Sequence, residues 1–206
     1  MANPDFVLLE QEAKVFLKKL LNEAVQIDEK KIDQLVNLFE LVTIKKNQII
    51  IEEGEIADSF YFIYSGIIKV YFYKNEKPVI ERFEKEGGFF GGNFTHVTKI
   101  PGTHVYESIE DLILLKINYK ELDKLCRASH DIERLYRINL ELFHSNYVKR
   151  LTTLKSASTK VRYNEFVHEY SDIANRVSLK DIANFLDMTS ETISRIRGKS
   201  IINNQL

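Results

Sequence analysis

At 206 residues and 44% hydrophobic content, the chain is long enough for one large domain or two small ones and has the apolar share of an ordinary folded protein. Its 29 Lys and Arg against 30 Asp and Glu leave a net charge of -1, which by itself neither favours nor excludes a nucleic-acid partner. The single cysteine, Cys126, excludes an internal disulfide, a zinc tetrad and a self-contained iron–sulfur cluster, and fits a reducing compartment.

The first residues carry acids where a secretory signal needs a basic cluster followed by an apolar stretch. The longest apolar runs, at 60–64 and 70–73, are strand-sized and far short of a membrane span. A soluble, cytoplasmic protein with no membrane partner is expected.

In chain order, residues 6–24 and 30–39 space their apolar side chains by three and four, which predicts two amphipathic helices. Seven of the eight glycines then fall between Gly54 and Gly102, so turns concentrate in one central block. Runs of Ile, Val, Phe and Tyr at 48–51, 60–64, 67–73 and 79–83, separated by short polar turns, predict strands, and two more follow at 104–109 and 112–117. Short, evenly spaced strands indicate a roll or barrel.

Residues 131–157 contain no Gly or Pro and repeat apolar side chains at Ile132, Tyr136, Leu140, Phe143, Tyr147, Leu151 and Leu154, which predicts one long helix. A second stripe, Leu135, Ile138 and Leu142, gives it more apolar surface than a small roll needs. The surplus points to a symmetric homodimer, although burial within one subunit would leave the same pattern. Ser156 to Thr159 read as a hinge, so the division expected is a β-roll sensor with N-terminal helices at 1–129, a dimerisation helix and hinge at 130–156, and a third domain at 157–206.

That last part is basic: from Lys149 to Lys199 there are ten Lys and Arg against six Asp and Glu. After a helix over 160–170, Ser178 and Asp181 form a capping box that opens a second helix, with Ile182, Ala183 and Leu186 turned inward. Asp187-Met188 makes a turn, and Thr189 caps a third helix running to Arg197, so the pattern is a helix-turn-helix. On the third helix Ile193 and Ile196 share the docking side, while Glu191, Ser194 and Arg195 share the other. The chemistry suits base reading: Arg195 to guanine O6 and N7, Glu191 to cytosine N4, Ser194 to a base or phosphate. An exposed helix with a Glu–Arg pair would show the same spacing.

The segment from Val177 to Lys199, VSLKDIANFLDMTSETISRIRGK, resembles the helix-turn-helix of the Crp/Fnr regulators, and its ETISR is similar to the recognition helix of the Fnr-type branch. Residues 54–66, GEIADSFYFIYSG, resemble the β-roll signature of the cyclic-nucleotide-binding domain in that family. The resemblance implies an α+β fold: a cyclic-nucleotide-binding-like jelly roll with flanking helices, a long dimerisation helix and a C-terminal DNA-binding domain. It further implies a homodimer on palindromic double-stranded DNA with TTGA-like half-sites, RNA polymerase as a further partner, and control by a small molecule. The DNA-binding set expected on these grounds is Thr189, Ser190, Glu191, Ser194, Arg195, Arg197 and Lys199, with Thr189, Arg197 and Lys199 on phosphates.

The chain also departs from that family. Its effector cassette is Phe89-Phe90-Gly91-Gly92 followed by Gly102-Thr103, with Gly92 in place of the ribose-binding glutamate and Gly102 in place of the phosphate-binding arginine. A cyclic phosphate would be buried without a cationic partner, so cyclic AMP is not expected to bind; Tyr61, Phe72, Phe83, Phe89 and Phe90 would suit an uncharged or apolar effector, although such aromatics more often just fill a roll's core. His96 and His104 do not form the paired ligands of a metal site, so no metal, cofactor or catalytic residue is assigned. After the recognition helix the sequence leaves no room for the β-hairpin wing usual in the family, and Asp187 occupies a turn position often held by glycine. The other readings are an effector sensor acting through a protein partner without DNA, and a cupin-like metal enzyme, which the eight-residue spacing of the two histidines disfavours.

Overall fold

The computed structural model of the protein describes residues 4–92 and 95–203, with side chains as far as Arg197. Helix α1 (Pro4–Ala24) buries Ala13, Leu17 and Leu21, one residue per turn on a single face. The Asp28 carboxylate accepts from the Lys30 amide and starts α2 (Glu29–Asn37), which buries Ile32, Leu35 and Val36. The helix stops two residues short of the sequence expectation, because the chain turns at Leu38 into a strand, β1 (Glu40–Ile44). No alternation in these five residues marks a strand; its partner strand in the sheet does, with Leu41 opposite Leu115.

The remaining strands are β2 (Ile49–Ile51), β3 (Ser59–Ser65), β4 (Ile68–Lys74), β5 (Lys77–Glu84), β6 (Phe89–Phe90), β7 (Val105–Ser108) and β8 (Leu112–Asn118). They form two antiparallel sheets in the orders β1-β8-β3-β6 and β2-β7-β4-β5. Ile51, Ile63, Ile68, Val70, Phe90, Tyr106 and Leu114 are in mutual contact and form the interior of the roll. Phe62, Leu115 and Ile117 of the first sheet belong instead to a cluster with α1 and α2. Strands β3 and β8 are therefore apolar on both sides and read as continuous runs rather than as alternation. A two-residue turn, Asn75-Glu76, joins β4 to β5, and both residues take positive φ as a tight hairpin turn requires.

A short helix α3 (Thr95–Thr98) precedes β7, and Asn118 caps α4 (Tyr119–Ala128) directly after β8. The long helix α5 (His130–Ser156) spans 27 residues and ends where Ala157 becomes extended. Beyond it come α6 (Thr159–Glu169), capped by Ser158, α7 (Leu179–Phe185), capped by Ser178, and α8 (Ser190–Asn203). Among the described residues no helix is long and apolar enough to cross a membrane.

The three last helices do not hang free of the roll. Their core, Tyr163, Phe166, Ile173, Ile182, Phe185 and Ile193, is continuous with Ile80 and Phe83 of β5. Asn184 of α7 closes on the edge of that strand: its Oδ1 accepts from the Ile80 amide at 2.6 Å and its Nδ2 donates to the Pro78 carbonyl at 2.8 Å. Arg150 of α5 adds a third tie, donating to the Glu81 carbonyl at 2.6 Å and the Phe185 carbonyl at 2.7 Å. Arg176 reaches Glu86 and Glu110, and Lys85 pairs with Asp172.

Candidate functional site

The helix-turn-helix is built by local rules. The Ser178 hydroxyl accepts from the Asp181 amide at 3.0 Å and fixes the start of α7. The turn passes through Asp187 at φ 52°, a left-handed conformation that aspartate tolerates better than most residues, and the Met188 amide closes it on the Ala183 carbonyl at 3.0 Å. The Thr189 hydroxyl accepts from the Thr192 amide at 3.2 Å and opens α8. Ile193 is completely buried against α7, whereas Thr189, Glu191, Ser194 and Arg195 are exposed and Ser190 is half-buried. Backbone and Thr189 hydroxyl contacts hold the Glu191 carboxyl below its ordinary pKa, so this face presents a carboxylate and a guanidinium side by side.

Arg197 is placed differently from the rest of the expected DNA-binding set. Its Nε donates to the Tyr163 hydroxyl at 2.7 Å and its guanidinium lies 5.8 Å from the Tyr163 ring centre, so α6 holds it. The side chain of Lys199 lies outside the described residues. Thr159 and Lys160, at the start of α6, border a groove with Thr192, Arg195 and Ile196, and sequence reasoning left both out. The chain reversal that brings residue 160 beside residue 195 has no local signal.

The cassette residues divide. Phe89 pairs with Phe62 in the sheet and stacks on Phe60, and Phe90 stacks on Tyr61 with ring centres 4.8 Å apart. The Gly91 carbonyl accepts from the Tyr119 hydroxyl at 2.8 Å. At Gly92, φ is 41° and a Cβ would overlap the Ala57 side chain, so the position is filled by the protein's own packing. Gly102 donates to the Glu55 carbonyl at 3.0 Å and accepts from the Gly54 amide at 2.7 Å, and the Thr103 hydroxyl lies 3.1 Å from His104 Nδ1. Phe89, Phe90 and Gly91 border a cavity; Gly92, Gly102 and Thr103 are not among its lining residues.

That cavity, about 740 Å³, extends away from the cassette toward the last domain. Its polar wall is on β5, where a bulge leaves Glu81 unpaired between Ile80 and Arg82. Arg82 is nearly buried; it pairs with Glu81 and Glu84, donates to the Tyr106 hydroxyl at 3.3 Å, and lies 4.9 Å from the Phe143 ring centre on α5. Burial pushes the Glu84 carboxyl up and Arg82 offsets it only in part. Burial likewise disfavours the Glu81 carboxylate, but His104 and Arg82 outweigh it and hold its pKa low. Burial pulls Arg150 down to about 10, and its guanidinium covers the Phe185 ring at 3.5 Å. Sequence reasoning missed Glu81, Arg82, Glu84 and Arg150 altogether. Among the described residues no three His, Cys, Asp or Glu side chains converge as a metal set would.

Residues 41–129 match the family model described as Cyclic nucleotide-binding domain. Two curated proteins resemble the chain over most of its length. The "Anaerobic regulatory protein" of Haemophilus influenzae is 25% identical over 84% of this chain and 72% of its own length. The "Regulatory protein HlyX" of Actinobacillus pleuropneumoniae is 26% identical over 84% of this chain and 77% of its own. Among solved structures, FixK2 from Bradyrhizobium japonicum shares the fold with a TM-score of 0.69 at 19% identity, covering 81% of this chain and 86% of that one. A roll joined through a long helix to a helix-turn-helix is the arrangement the chain shares with FixK2. The chain is similar to regulators of the Crp/Fnr type.

Proposed function

We propose that the protein is a sequence-specific, DNA-binding transcription regulator of the cytoplasm that works as a homodimer under the control of a small-molecule effector. The observation that carries this reading is α8: Ile193 is fully buried while Glu191, Ser194 and Arg195 stand exposed on the opposite face. In the reading, Arg195 donates to guanine, Glu191 accepts from cytosine, Ser194 meets a base or phosphate, and Thr189, Ser190, Arg197 and Lys199 meet the backbone. Arg197 must exchange its bond to Tyr163 for a phosphate to do so.

The homodimer is supported by the second half of α5, where Leu142, Phe143, Tyr147, Val148 and Leu151 are all exposed. The sensor is assigned to 1–129, the dimerisation helix to 130–156 and the reader to 157–206, with RNA polymerase as a further partner. The effector is not cyclic AMP: Gly92 and Gly102 offer neither a carboxylate nor a guanidinium, and neighbouring protein groups already engage them.

Selection of the purified protein on randomised duplex DNA at near-physiological salt tests the function, because non-specific binding is suppressed there. A palindrome of TTGA-like half-sites, centred one helical turn or a multiple apart, is expected. A non-palindromic consensus, or none with and without effector candidates, overturns the assignment.

A further inference from the structure

We infer that the effector site is the chamber between the roll and the helix-turn-helix domain, which the cassette borders only through Phe89, Phe90 and Gly91, and that it takes an uncharged, largely apolar molecule. The inference rests on the reading of the protein as an effector-controlled regulator and locates the control point within it.

Three observations carry it. The first is place: Leu20 of α1, Phe83 of β5, Phe143 of α5, Phe166 of α6 and Phe185 of α7 all border one space. A molecule there touches sensor, connecting helix and reader at once, and so has the differential contacts that shifting one against another demands. The second is size, since about 740 Å³ lies within the 300–1,000 Å³ range of small-molecule sites.

The third is charge. The ionic lining consists of Arg82, Lys149, Arg150 and Arg162 against Glu81, Glu84, Glu165 and Glu169, four of each sign. The cations already have acceptors. Arg82 has Glu81, Glu84 and Tyr106; Lys149 has Glu169; Arg150 has the Glu81 and Phe185 carbonyls; Arg162 has the Leu154 and Asp187 carbonyls. Arg162 Nε is a fully buried N–H without a partner, and by itself it does not hold a phosphate. A phosphate or carboxylate entering the chamber must break bonds that are already made, while an uncharged ring system needs only to cover aromatic walls.

Two dyes with the same ring framework and different charge test this on the full-length protein. N-phenyl-1-naphthylamine is uncharged, and 1-anilinonaphthalene-8-sulfonate adds one negative group. The uncharged dye is expected to bind saturably, one per chain, and about tenfold more tightly than the sulfonate. Asn139 lies on α5 in the lining, so Asn139→Trp fills the chamber and is expected to weaken the uncharged dye by about tenfold or more. Val15→Trp, on the exposed face of α1, is expected to leave it unchanged. Sedimentation confirms that both variants keep the parent's assembly state.

Equal binding of the two dyes, indifference to Asn139→Trp, or no saturable site in the dimer because the second copy's α5 fills it, each overturns the inference. Saturating uncharged dye is expected to change specific DNA affinity by about fivefold or more. DNA binding that is specific yet unmoved by bound dye overturns the effector role. Dye binding with no specific DNA binding leaves the chamber standing and overturns the proposed function instead.

Discussion

The two halves of α5 carry the same apolar repeat and end in opposite surroundings. In the first half Ile132 and Leu135 are 1% and 6% exposed, locked between α2, α4 and the roll; in the second, Leu142 and Leu151 are 58% and 43% exposed. Periodicity therefore measures how much surface a helix must cover and is silent on which body does the covering. The buried half is a matter of folding. The open half, in the proposed homodimer, is a matter of association.

Substitution separates the two. Ile132→Ala is expected to cost about 2–5 kcal/mol of unfolding free energy, measured by urea titration, because it removes packed volume from a closed site. Leu151→Ala in the monomer is expected to cost well under about 1 kcal/mol; equal losses at both positions would erase the contrast. The pair Leu142→Glu with Leu151→Glu is expected to weaken association by about 100-fold, roughly 2.7 kcal/mol, with little change in fold. Sedimentation velocity at micromolar protein reads this directly, and an unchanged dimer would move the interface elsewhere.

A dimer delivers two reading helices to one site, so the next effect belongs to α8. Arg195→Ala is expected to lose about 1–3 kcal/mol of discrimination at one base pair of each half-site while leaving affinity for unrelated DNA almost unchanged. Competition binding against single-base variants of the selected site measures it, and undiminished specificity removes Arg195 as a reader. At the tie between domains, Asn184→Ala removes two hydrogen bonds to β5 and is expected to cost about 1–2 kcal/mol by thermal unfolding.

Much of this architecture is legible in the sequence, for identifiable reasons. The strands of the roll stand out because glycine and polar turns bracket runs of Ile, Val, Phe and Tyr. Helices α7 and α8 stand out because Ser178 and Thr189 cap their first turns. Strand β1 and helix α4 are missing from the sequence reading. β1 exists through its pairing with β8 some seventy residues on, and α4 succeeds β8 with only Asn118 as a signal. The separation of faces on α8 is legible in the same way as the helix, since spacing alone sets Ile193 against Glu191, Ser194 and Arg195. The chamber is not: its walls come from widely separated stretches, and the feature that sets Glu81 beside Arg82 on its polar wall is a bulge that strand periodicity does not announce.

The bonding of Asn184 to β5 has one more consequence. β5 is the outermost strand of its sheet, and the groups that Asn184 and Arg150 occupy, the Pro78 and Glu81 carbonyls and the Ile80 amide, are those that another strand would use to extend it. A roll cut off from the last domain would keep its interior and lose this seal, leaving an open template for edge-to-edge growth. Helix α7 and Arg150 of α5 thus cover the edge along which the roll could otherwise pair with another strand.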